Sequence, residues 1–180
     1  MKTSIQLSEL KAGNPALTPA TGSSLEEACV ICLNDQHHTP GVNMEVGGKI
    51  SQVYSLLWQK QVTDQMIRCW GDPEYTTEQA AYGIAFLLIP RITNYTTIER
   101  SVKGPGFDYW LGDGQEAEIF IFNRKARLEV SGIRKGSDSQ IRKRINQKYK
   151  QTDPSDSTTL PAFVVVVEFS KPFSHVGEKR

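Results

Sequence analysis

The sequence has no apolar stretch approaching the roughly 18 to 20 residues that a membrane-spanning helix requires. Its opening residues, M-K-T-S-I-Q-L-S-E-L, lack the apolar block of a secretory signal. The expectation is a cytoplasmic protein with no membrane partner. Cysteine is scarce too, with three residues, Cys29, Cys32 and Cys69. An odd number of cysteines without an export signal argues for reduced thiols and against a disulfide framework. No such framework is needed, because 180 residues suffice for one domain that buries roughly two-thirds of the surface its unfolded chain would expose. The composition, 38% hydrophobic and 23% charged, is that of an ordinary globular protein. Also missing are an aromatic platform beside the basic residues and a helix-turn-helix signature, so sequence-specific reading of nucleic acid is not indicated.

The net charge of +1 conceals a strong asymmetry. Residues 1–123 hold eight Lys/Arg against fourteen Asp/Glu, a net −6, whereas residues 124–150 hold ten against two, a net +8. The remaining thirty residues hold three against four, a net −1. A local positive field of this size attracts polyanions or an acidic protein surface. The basic residues Arg134, Lys135, Arg142, Lys143 and Lys148 are therefore candidates for phosphate-backbone contact. A protein partner or a second copy of the chain is the other class of acidic surface to consider.

Residues 1–23 carry Gly, Pro, Ser and Thr with little periodicity and are expected to form an extended lead-in. Ser24-x-x-Glu27 is a capping box, and Leu25, Ala28, Cys29, Cys32 and Leu33 then follow at helical spacing. Val42–Val46 and Lys49–Leu57, joined at Gly47-Gly48, predict a β-hairpin, and a short helix over 63–70 ends at Gly71-Asp72-Pro73. Residues 24–75 thus form an N-terminal α/β layer. A second helix is predicted over 76–93, with Ala81, Tyr82, Ala85, Phe86, Leu88 and Ile89 on a wide apolar face.

Beyond it, Tyr95–Arg100 reads as a short strand. Phe107, Tyr109 and Leu111 alternate with Asp108 and Trp110, and Ala126, Leu128 and Val130 alternate with Arg127, Glu129 and Ser131. Residues 112–125 between them are expected to be irregular, with an apolar patch at Ile119–Phe122. Ser137-x-x-Gln140 opens a basic helix whose apolar edge is Ile141, Ile145 and Tyr149. The unbroken run Phe163–Phe169 reads as a central strand. The polar residues 171–180 are expected to fray.

Two groups of residues carry chemistry. Cys29-x-x-Cys32 with His37 and His38 has the residue types of a zinc site, but both cysteines fall in the apolar stripe of a helix, where free Cys behaves as a small hydrophobe. The second group comprises the acids Glu78, Asp108 and Glu129 on successive elements. Two carboxylates brought together from neighbouring strands can hold a hard divalent cation, the requirement for activating water towards a phosphodiester.

The order helix (Glu78), strand, strand with P-G-F-D at Asp108, strand with L-E-V-S at Glu129, helix, strand resembles the PD-(D/E)XK nuclease superfamily, the restriction-endonuclease-like fold. The resemblance covers about residues 76–170. It implies an α/β fold with an αβββαβ core and mixed sheet. It further implies Mg²⁺ or Mn²⁺ held by Asp108 and Glu129, with Glu78 as the first-helix acid, and hydrolysis of DNA or RNA phosphodiesters, as one component of a larger bacterial system. The chain departs from the pattern where the lysine should stand two residues after the Glu. That position is Ser131. Lys103, Lys125, Lys135 and Lys143 are the candidates to supply the missing ammonium. The alternative is a nuclease-fold subunit that has lost catalysis and binds nucleic acid or a protein partner.

Overall fold

The computed structural model describes residues 3–113 and 123–180. The predicted apolar patch at Ile119–Phe122 lies outside them. The elements in chain order are β1 (Thr3–Gln6), α1 (Pro19–Asp35), β2 (Val42–Gly48), β3 (Gln52–Leu57), α2 (Asp64–Cys69), α3 (Pro73–Ile92) and β4 (Tyr95–Arg100). There follow β5 (Tyr109–Asp113), β6 (Ala126–Ile133), α4 (Asp138–Gln151), β7 (Ala162–Glu168) and β8 (Phe173–Lys179). All eight strands join one mixed sheet in the order β1-β3-β2-β8-β7-β6-β5-β4. None of the helices among the described residues is long and apolar enough to cross a membrane.

Helix starts are written locally. Thr18 caps α1 by accepting from Thr21 N–H at 3.2 Å, with Pro19 in the first turn. Asp72 caps α3 by accepting from the Glu74 and Tyr75 N–H groups, again followed by proline. Ser137 and Gln140 form the capping box of α4. Helix α1 therefore begins five residues before the Ser24 start expected from the sequence. Gly22 lies inside it because a Cβ there would fall 1.9 Å from the Leu10 carbonyl oxygen. That close approach seats the 3₁₀ turn Leu7–Ala12 on α1, with Leu7 and Leu10 buried.

Two further expectations are corrected. Residues 3–17 are not a loose lead-in, since β1 pairs in parallel with β3 and Ile5 is fully buried. Nor does the segment after 170 fray. Strand β8 runs antiparallel to β7 and parallel to β2, and so joins the two halves of the sheet.

The core lies between the sheet and the layer formed by α1 and α3. Helix α3 buries Ala80, Ala81, Ile84, Ala85, Leu88 and Ile89 against the Ala126, Leu128 and Val130 face of β6 and against α1. Each large apolar side chain buried here, such as Phe163 or Leu88, stabilises the fold by roughly 1.5–3 kcal/mol. Strand β7 is buried at every position, as its apolar run Ala162–Val167 requires, and the buried Glu168 at its end accepts from the Gly136, Ser170 and Lys171 N–H groups. Helix α4 covers the opposite face of the sheet, the one that carries Arg127, Glu129 and Ser131.

The position of the site follows from an incomplete strand pairing. Strand β5 pairs with β6 only from Ala126 to Leu128, whereas β7 accompanies β6 from Arg127 to Ile133. Beyond Leu128 the outer edge of β6 has no strand beside it among the described residues, and the notch so formed is reached by α3 from one face and α4 from the other.

Candidate functional site

Asp108 sits at the mouth of this notch. Its backbone N–H donates to the Leu128 carbonyl at 2.8 Å, and its Oδ2 accepts from the Val130 N–H at 2.8 Å. The carboxylate thus takes the place that a continuing β5 would have filled. The sequence alternation is reproduced here, with Phe107, Tyr109 and Leu111 buried and Asp108 only half-buried.

Glu129, on the next strand, is 1% exposed. Its Oε1 accepts from Lys148 Nζ at 2.6 Å, while its Oε2 is buried without a hydrogen-bond partner among the described residues. Burial pushes the Glu129 carboxyl up to about 8, and the facing Asp108 charge adds to the rise, with the Lys148 ammonium opposing both. The two acids therefore converge, as the sequence pattern anticipates.

Lys148 reaches Glu129 from a different element. It projects from α4 onto Glu129, and Arg144, one turn earlier, donates to Ser131 Oγ at 2.8 Å. The sequence alone groups Lys148 with the phosphate contacts. The signal that identifies it is helical spacing. Arg144 and Lys148 are four residues apart on one stripe, beside the Ile141, Ile145 and Tyr149 edge.

Helix α3 contributes Glu78 and Tyr82. The Tyr82 hydroxyl donates to Glu78 Oε1 at 3.3 Å. Burial first, and then the Asp108 and Glu78 charges, raise the Tyr82 phenol far above its ordinary value, so it stays protonated. Sequence reasoning misses Tyr82 as a site residue, because there it reads as part of the apolar face. Its ring meets Tyr109 edge-on at 5.5 Å, and the Arg100 guanidinium lies over both rings at 5.9 and 5.6 Å.

The remaining predicted residues separate. Lys103 lines the same cavity as Asp108 and Glu129. Lys125 does not approach the site. It pairs with Asp113 at 3.7 Å, at the other end of β6, about 13 Å of strand from Glu129. Lys135 and Lys143 line a second cavity together with Glu78, Ser131 and Lys148. Arg134 lines it as well, but its guanidinium is committed to Thr77 Oγ1 at 2.8 Å, the Pro73 carbonyl and Asp35. Arg142 faces a different cavity, lined by Glu45, Asp138 and Phe173, so it does not join the other cations.

The two cavities flank the carboxylates. One, of about 640 Å³, lies between the first turns of α3, the end of β6 and the outer stripe of α4. The other, of about 710 Å³, lies between residues 100–108 and the last turn of α4, with Lys103 and Lys150 on its wall. The acidic pair is thereby set between two basic recesses, an arrangement suited to an anionic chain whose backbone passes over it.

A cation here would rest on Asp108 and Glu129. No three His, Cys, Asp or Glu side chains among the described residues converge as a metal-ligand set, and Glu78 is engaged by Tyr82. The pair itself fits a hard cation. An unpartnered buried carboxylate oxygen beside a second carboxylate is the donor chemistry that Mg²⁺ takes from a protein while keeping waters of its own.

The cysteines do not form a zinc site. Cys29 Sγ donates to the Ala80 carbonyl at 3.3 Å and Cys32 Sγ to that of Thr76 at 3.7 Å, both buried between α1 and α3. Burial pushes the Cys32 thiol up to about 12 and that of Cys29 well above its ordinary value, so neither is a thiolate. His38 Nε2–H donates to the Phe169 carbonyl at 2.9 Å.

Comparison with family models, with curated proteins and with solved structures finds no match to the chain.

Proposed function

We propose that the protein is a metal-dependent nuclease with a restriction-endonuclease-like core, in which the ammonium group of the PD-(D/E)XK pattern comes from Lys148 on α4. The observation that carries this reading is the contact of Lys148 Nζ with Glu129 Oε1 at 2.6 Å, beside an unpartnered Oε2 and the facing Asp108. The strand arrangement supports it. Strands β4, β5 and β6 are successively antiparallel, and β6 and β7 are parallel through α4, with α3 preceding them. This is the αβββαβ order, with four further strands, β8, β2, β3 and β1, added beyond β7.

When bound, Mg²⁺ or Mn²⁺ would supply positive charge at the scissile phosphate and acidity to the attacking water. The residues of the chain do the rest. Asp108 and Glu129 would hold the cation, and the Val130 N–H fixes one Asp108 oxygen so that the carboxylate is preset. Lys148 keeps its ammonium at the edge of Glu129, where it orients the water and offsets negative charge growing on the phosphate oxygens. Arg144, held by Ser131, adds a second cation on the same side. Lys135 and Lys143 in one recess, with Lys103 and Lys150 in the other, receive neighbouring phosphates.

Cleavage of single- and double-stranded DNA and RNA with Mg²⁺ or Mn²⁺ tests the proposal. The wild type is expected to cut, Glu129→Ala to be inactive and Lys148→Ala to retain only a residual rate, lower by at least about 10²-fold. Equal activity in all three removes the reading.

Ser131 at the lysine position, occupied by Arg144, also supports a second reading, a silent subunit of the same fold that binds nucleic acid or a protein partner. In that case the wild type binds polynucleotides and cuts none, with Mn²⁺ leaving it unchanged in calorimetry.

A further inference from the structure

Helix α4 has no fully buried side chain, so a hydrophobic seam does not fix its rotation as one fixes that of α3. A polar slot on β8 does so instead. Tyr149, the residue after Lys148, reaches down to β8, where its Oη lies 3.1 Å from His175 Nε2 and its ring meets the imidazole edge-on at 6.0 Å. The hydroxyl stands over Gly177. A Cβ at that position would fall 1.7 Å from Tyr149 Oη, 2.5 Å from His175 Nε2 and 3.0 Å from Tyr149 Cζ. The imidazole is backed in turn by Gly48 of β2, where a Cβ would lie 3.0 Å from His175 Cε1.

Consecutive helix residues point about 100° apart. With Tyr149 seated on β8, Lys148 is therefore turned towards β6, where it meets Glu129. We propose that Tyr149, His175 and Gly177 form a positioning slot for Lys148, with Tyr149 and Gly177 its decisive members. The inference rests on the nuclease reading above and assigns these residues no contact with substrate.

A methyl group at Gly177 forces the Tyr149 hydroxyl back by roughly 1–2 Å to regain ordinary van der Waals separation. Misplacing a catalytic group by about 1 Å can cost on the order of 10²-fold in rate. Mn²⁺-dependent cleavage by the full chain, with kcat and KM determined separately alongside thermal stability, tests the slot. Gly177→Ala is expected to lower kcat by about 10²-fold and to change KM by less than about threefold. Adding Tyr149→Phe, which removes the nearest of the clashing atoms, is expected to restore part of the lost kcat. In a Lys148→Met background the residual rate is expected to be indifferent to Gly177→Ala, because the group that the slot positions is gone.

Wild-type kcat in Gly177→Ala, or the same fold-loss with and without Lys148, overturns the proposal. Should Gly177→Ala fail to fold, Tyr149→Ala alone, which empties the slot on β8, carries the same comparison. Loss of kcat confined to the chain that retains Lys148 supports the slot, and equal loss in the Lys148→Met background overturns it. Absence of any cleavage by the wild type overturns the nuclease reading, and this proposal with it.

Discussion

Replacing Glu129 by glutamine is expected to remove one large contribution to the loss of stability as pH rises. Glu129 has a folded-state value of about 8 against an ordinary 4.5, so the folded protein binds a proton there more tightly than the unfolded chain does. The stabilisation this provides is fully present below pH 4.5 and is lost as pH rises through about 8. Each tenfold difference in proton affinity is worth about 1.4 kcal/mol, so the whole interval approaches roughly 5 kcal/mol. That is a large share of the roughly 5–15 kcal/mol typical of a domain. Glutamine is neutral throughout and keeps an oxygen for Lys148. Urea unfolding in EDTA from about pH 5 to pH 9 is the assay. The stability of the variant relative to wild type should climb by several kcal/mol across that range, and saturating Mg²⁺ should restore wild type but not the variant. Parallel profiles would mean that Glu129 ionises freely, and the account of a carboxyl raised by burial and by the Asp108 charge would fail.

Lys148→Met should lower cleavage by at least about 10²-fold, with a much smaller loss of nucleic-acid affinity measured by anisotropy. Lys135→Ala combined with Lys143→Ala should leave the cleavage chemistry intact and flatten the slope of log affinity against log salt on duplex DNA by about two. Arg127→Met should destabilise the fold. Buried Arg127 donates to the Leu160 and Thr152 carbonyls and to Ser155 Oγ, and each acceptor left unpaired costs roughly 1–3 kcal/mol in urea denaturation. Cys29→Ala and Cys32→Ala should leave the metal content of the purified protein unchanged by elemental analysis, since both thiols are packed against α3.

Those features of the fold that depend on near neighbours are legible in the chain. The Ser137 cap, the alternation around Glu129 and the hairpin of β2 and β3 each declare themselves within a few residues. The same holds for Asp108 and Glu129, whose convergence needs only two adjacent strands. What escapes depends on distant partners. Strand β8 reads F-S-H-V-G-E-K, too polar for an interior strand, because its outward positions are occupied by the Tyr149 slot and by ion pairs such as Lys179 with Asp153 and Asp156. Strand β1 is four residues long and owes its place to pairing with β3. Lys148 is hidden for a similar reason. A lysine in a basic helix looks like any other until the crossover between parallel strands lays that helix over Glu129.

The insertion of β8 between β2 and β7 also sets the order of events at the ribosome. Strands β1, β3 and β2 are made early yet have no neighbour on the β2 side until residues 173–179 have been translated and released from the exit tunnel. Until then the nascent polypeptide carries two half-sheets with open hydrogen-bonding edges, the kind of surface to which chaperones bind and from which aggregates grow. Closure of the sheet, and with it the seat for Tyr149, therefore follows the synthesis of the other seven strands.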